Sequence, residues 1–244
     1  MTNPQFVLGF PYEFKNICLI YPPLVKTIVC NKNYSIYVKL LTLSQEEIED
    51  EYNAENKDLS QMLTPFEYLL NGAYNNLQFQ SVLKDAFAFF IHEPVLFLFE
   101  QKEILIGDME GVKSANELRM LKEEDFFEFQ NLIRESIGTK SVQPPNPNED
   151  PRIKAIKAKA RYRDKIKAKQ GKNLNLSSIL ASICCMNIGI TPLNVGELSY
   201  AAIPLLMSTY QAKEKYQLDI ESLLAGADSK KVKPEYWIRN IEEN

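Results

Sequence analysis

"FQSVLKDAFAFFIHEPVLFLFEQKEILIG", Phe79 to Gly107, changes its hydrophobic period halfway along. Phe79, Val82, Leu83, Ala86, Phe87 and Phe90 recur at three- and four-residue spacing, the stripe of a core-facing helix that runs to about Ile91. Val95 to Phe99 and Glu103 to Ile106 then form two short apolar runs around a polar turn, which predicts a β-hairpin. A strong helix followed directly by an antiparallel pair places the first part of the chain in the α+β class.

The flanking segments extend that reading on both sides. "NICLIYPPLVKTIV" is apolar but interrupted by Pro22 and Pro23, which remove two ladder donors; it reads as two extended pieces meeting at a corner. "YSIYVKLLTL" suits a strand or a buried helix turn, and periodicity alone does not decide between them. Ser44 with Glu47, and Thr64 with Pro65 and Glu67, carry the capping-box signature of two helix starts. Downstream, "EEDFFEFQNLIRESIG" sets Phe126, Phe129, Ile133 and Ile137 on one face, with acid at the start and Gly138 as a stop.

A proline-rich stretch follows, with Pro144, Pro145, Pro147 and Pro151 among polar residues, the best linker in the chain. Beyond it the remainder reads as helical. "LNLSSILASICCMN" places Leu176, Ile179, Leu180 and Ile183 at helix spacing. Leu198, Ile203 and Leu206 continue the pattern, with Pro204 expected to kink or interrupt it unless a break already lies there. Gly226 suits a helix stop after Leu223 and Leu224, Pro234 suits a new first turn, and Trp237 with Ile238 is expected to fold back as an apolar plug. The expected organisation is a mixed α/β domain over 1–139, a linker over 140–151, and an all-helical domain over 152–244.

Composition bounds the function. The 244 residues are 45% hydrophobic and 25% charged, enough for a sizeable core, and neither a membrane-spanning run nor a leader pattern is present, so a cytosolic protein is expected. Cys18, Cys30, Cys184 and Cys185 include no CxxC spacing, which argues for buried free thiols over a disulfide framework or zinc site. His92, the single histidine, ends an apolar helix and reads as a helix-terminal residue, not a base. No phosphate-binding, nucleophile-elbow or zinc-hydrolase motif occurs, and no cofactor or metal is expected. An enzyme would have to use scattered carboxylates such as Glu46, Glu47 and Asp50, which already have a capping role.

Charge is distributed very unevenly. Arg152 to Lys172 holds ten basic residues against one acid, +9 within a chain of net charge −4, which leaves −13 for everything else. Ala155, Ala158, Tyr162 and Ile166, flanked by Ile153, Ile156 and Ala160, give this segment the look of a basic amphipathic helix. Phosphate contacts to nucleic acid, a membrane surface, and a solvated face drawn to acidic protein all use such a helix. The acidic whole chain and the scarcity of aromatics argue against nucleic acid, and the absence of Trp, Phe and Leu argues against a membrane.

"IYPPLV", "LTLSQEEIED", "TPFEYLL", "DFFEFQNLIRESIG", the lysine-rich helix and "ESLLAGADSKKVKPEYWIRN" together resemble tail assembly chaperones of phages and prophages of Gram-positive bacteria. The resemblance implies a non-enzymatic factor of the host cytoplasm, able to self-associate, that coats the helical tape-measure protein, recruits tail-tube subunits and leaves before the virion is complete. In some of these families a programmed frameshift also makes a longer form. The basic helix is then the expected partner face: Lys154, Lys157, Lys159, Arg161, Arg163 and Lys165 steer the partner, and Tyr162 and Ile166 anchor it. A neck or baseplate subunit retained in the particle is the alternative.

Overall fold

A computed structural model describes residues 3–54, 62–107, 119–144, 150–169 and 175–238. By contacts the chain forms two compact units, 1–142 together with 196–244, and 143–195. The larger unit opens with α1 (Pro4–Val7), β1 (Tyr12–Phe14) and β2 (Cys18–Ile20), the strands pairing antiparallel. Next come α2 (Val25–Cys30), α3 (Tyr34–Leu41), α4 (Gln45–Ala54), α5 (Pro65–Asn75) and α6 (Leu77–Ile91).

Local chemistry explains the helix ends. Glu47 and Ser44 exchange backbone and side-chain hydrogen bonds, and Thr64 and Glu67 do the same behind Pro65, so both predicted capping boxes form. Asn76 starts α6 by accepting from the amides of Gln78 and Phe79. At its far end His92 adopts a left-handed φ of 57° and stacks on Tyr21 with centroids 4.1 Å apart. Burial holds the His92 imidazole below its ordinary pKa.

The predicted hairpin forms as β3 (Val95–Leu98) and β4 (Glu103–Ile106), with Val95 opposite Ile106. A third strand, β5 (Arg119–Leu121), pairs with the other edge of β4. This makes β4 central, and Ile104, Leu105 and Ile106 are all buried, one face against the core and the other flanked by Leu96 and Met120. Arg119 of β5 pairs with Glu93 just before β3, which ties the edge strand to the end of α6.

α7 (Glu123–Ser136) closes the core. Phe129 stacks on Phe87 of α6 at 5.6 Å and on Phe126 at 6.1 Å, and Phe66 of α5 meets Phe126 at 5.1 Å. On the same helix Gln130 and Arg134, both buried, donate to the carbonyls of Leu43 and Thr42 that follow α3. Gly138 takes φ 73°, and a Cβ there would lie 3.0 Å from Pro204 Cγ and 3.1 Å from the Ala201 carbonyl oxygen. Glycine is therefore required twice over, by the turn and by the approach of the distant chain.

That distant chain enters the larger unit at Leu198–Tyr200. Leu198 accepts from Val25 N at 2.9 Å, Tyr200 N donates to Pro23 at 2.9 Å, and the buried Ser199 hydroxyl donates to Phe6 at 2.6 Å. The corner made by Pro22 and Pro23 thus finds partners far away in sequence. α10 (Ala202–Leu224) follows, and Pro204 falls in its first turn, where a missing amide costs no helix bond. The expected interruption lies just before the helix.

The smaller unit contains α8 (Pro151–Lys169) and α9 (Leu176–Cys185), the latter capped by Asn175. Described elements after residue 150 are helical, so the α+β class with a helical C-terminal part holds. Pro145 and Pro147 of the expected linker lie outside the described residues.

Four expectations require correction. Residues Val25–Cys30 form a helix instead of an extended piece, although the first half of that stretch is a strand. The segment after Pro234 is not helical; Tyr236 rests edge-on against Tyr216 of α10 at 5.7 Å, Trp237 is half-buried and Ile238 is 62% exposed, so no plug forms. Of the free cysteines only Cys18 is buried, while Cys30 and Cys185 are exposed. The fourth concerns α8 and is given below. Burial and the nearby Glu93 carboxylate push the Cys18 thiol up to about 12, against a smaller opposing effect of Arg119. Alkylation of the native protein near pH ~8 is therefore expected to label Cys30 and Cys185 first and Cys18 only on unfolding, as peptide mass spectrometry would read.

Candidate functional site

α8 carries the charge that the sequence singles out. Among its expected contact residues, Lys157, Lys159, Tyr162, Arg163 and Ile166 are exposed and Arg161 is half-buried. The side chains of Lys154 and Lys165 lie outside the described residues. An amphipathic helix is not what these residues build. Ile153 and Tyr162 are nine residues apart, about 900° of helical rotation, and therefore stand on opposite sides. Both are in solvent, at 48% and 67% exposure. Alanines at 155, 158 and 160 made a stripe look apolar on paper, yet they supply too little surface to need covering, and the cations fall all around the axis.

One side of α8 is nevertheless ordered in a simple way. Arg152, Ile156, Lys159, Arg163 and Ile166 are separated by four, three, four and three residues and are all exposed. At about 100° per residue they share roughly a quarter of the helix circumference. Lys159, Arg163 and Ile166 belong to the expected contact set; Arg152 and Ile156 do not, and the signal that would have found them is the alternating four–three spacing itself. Tyr162 stands on the flank of this line.

The acids named as catalytic alternatives have other partners. Glu47 closes the α4 capping box, and Glu46 and Glu47 both lie near the buried guanidinium of Arg134, whose pKa burial lowers while their charges raise it. Glu67 is held below its ordinary pKa by Lys102, 2.6 Å away, against partial burial. A shallow cleft of about 380 Å³ lies beside this ion pair, lined by Leu63, Leu70, Tyr74 and Phe99. Its wall is mostly apolar, and the charged groups on it, Glu67 and Lys102, are already paired with each other, with Asn71 and Glu100 beside them. Among the described residues no helix is long and apolar enough to cross a membrane.

No curated protein and no solved structure matches the chain. A family model does match residues 167–242, just under a third of the length, running from the last turn of α8 through α9 and α10 to the C-terminal tail. That family is described as the YomV second domain and is associated with phages and prophages.

Proposed function

We propose that this protein is a non-enzymatic tail assembly chaperone of a phage or prophage, acting in the host cytoplasm on the tape-measure protein and the tail-tube subunits. The observation that carries the proposal is the exposed basic helix α8, whose last turn opens a segment that matches a phage-associated family. A tape-measure protein exposes long helical surfaces until the tube encloses it, so a protein that holds it needs an accessible helical face of its own. α8 supplies one, with cations that raise encounter rates by long-range attraction. α8 is the part assigned to partners, and the aromatic core of the larger unit is the part assigned to stability.

Two measurements test this. Mass spectrometry of purified particles is expected to find the protein absent; its presence at a fixed stoichiometry would instead assign it to the neck or baseplate. Co-purification with the tape-measure protein at low salt is expected to fall about tenfold or more when Lys157, Lys159 and Arg163 are changed to Glu, and the difference should shrink above ~0.5 M salt, where the Debye length is a few ångströms. Undiminished recovery of the tape-measure protein by that variant would remove α8 from the mechanism.

A further inference from the structure

We propose that α8 docks against one acidic, amphipathic helix of its partner along the seam Arg152, Ile156, Lys159, Arg163 and Ile166. The inference rests on reading α8 as the partner face and adds the chemistry that this face selects. The four–three–four–three spacing is that of a coiled-coil seam, which keeps the same side of one helix toward another over several turns. Each seam residue is exposed, with Ile156 at 66% and Ile166 at 37%, so the line is accessible along its whole length. Two isoleucines alone offer too little apolar surface to hold a helix, so most of the selectivity falls to the three seam cations, Arg152, Lys159 and Arg163.

The complement follows from charge and shape. A second α8 would place cation against cation and is excluded as the occupant. A neutral apolar helix would desolvate three cations without pairing them. The helix that fits presents Asp or Glu at three- and four-residue spacing with aliphatic residues between them, so that each seam cation meets a carboxylate and each isoleucine an aliphatic side chain. Nucleic acid would use the cations but leave both isoleucines without a counterpart. The net −13 of the rest of the chain also opposes a polyanion longer than the seam.

Fluorescence anisotropy with the full chain tests the seam using three probes: a labelled helical peptide alternating Glu and Leu at this spacing, the same peptide with Gln for Glu, and a single-stranded DNA of similar length. Only the Glu–Leu peptide is expected to bind, weakening about tenfold or more between ~50 and ~300 mM salt. Arg152→Glu, Lys159→Glu and Arg163→Glu combined should abolish that binding, Ile156→Ala with Ile166→Ala should weaken it several-fold, and Tyr162→Ala should leave it unchanged. Circular dichroism checks that each variant retains its helix. Equal binding of the Gln peptide, tighter binding of DNA, no binding of any probe, or a Tyr162→Ala loss without a seam effect would each overturn the proposal. Those failures differ from that of the chaperone reading, which is decided by recovery of the tape-measure protein and by particle composition.

Discussion

Replacing Phe129 with alanine is expected to lower the free energy of unfolding by about 3–5 kcal/mol. The ring is fully buried and packs against Phe87 at 5.6 Å, Phe126 at 6.1 Å and Phe14 at 6.1 Å. These neighbours belong to α6, α7 and β1, three elements fixed by different constraints, so the void left by the ring cannot close by moving any one of them. A loss of that size is a large part of the 5–15 kcal/mol typical of a domain. Urea unfolding followed by far-ultraviolet circular dichroism would measure it. Tyr74→Ala is the matched control: that ring is 68% exposed and has one edge contact, with Phe99 at 5.3 Å, so its loss should cost about 1 kcal/mol or less. Similar midpoints for the two variants would show that the Phe14–Phe87–Phe129 cluster does not organise the larger unit.

How much of this architecture was legible depends on how local its causes are. The two capping boxes need only residues three apart, and the α6 stripe needs only its own period; all three were readable. Val25, Thr27, Ile28 and Val29 are β-branched and locally favour an extended chain. They are helical because Leu24 and Val25 are held by the segment from Leu198 to Tyr200, a partner with no signature nearby in sequence. β5 has three residues, too few to show a period, and exists because β4 offers a free edge. The tail around Trp237 is illegible for a different reason: composition marks an aromatic cluster as apolar but says nothing about whether the fold provides a cavity for it.

The candidate site divides along the same line. A run of ten basic residues is visible without any structure, because charge needs no partner to be counted. Which of those cations share a face with exposed isoleucines depends on the helix phase and on exposure together. Alanine adds little to an apolar face, so Ala155 and Ala158 blur in the sequence the line from Arg152 to Ile166, on whose flank Tyr162 stands.

Arg134→Met is expected to cost about 1.5–3 kcal/mol, the range for losing a hydrogen bond from a charged donor. Arg134 is only 6% exposed, and its guanidinium donates to the Thr42 carbonyl at 2.5 Å and to Asn131 Oδ1 at 3.0 Å. Methionine keeps most of the stem's packing and removes the donors, so the measured loss isolates the polar contacts. The two acceptors are not equivalent. Asn131 Oδ1 still receives the Val142 amide at 3.0 Å, whereas the carbonyl of Thr42, at the close of α3, takes its hydrogen bond from the guanidinium. One helical turn earlier, Gln130 Nε2 donates to the next carbonyl, Leu43, at 2.9 Å. α7 therefore pins two consecutive carbonyls of one loop. The Gln130→Leu/Arg134→Met double variant should deviate from additivity, because once one carbonyl is released the loop can turn the other toward water. A double-mutant cycle by urea unfolding would read that coupling; strict additivity would mean that each contact holds its carbonyl independently, and a loss below about 0.5 kcal/mol for Arg134→Met would mean that water already serves Thr42.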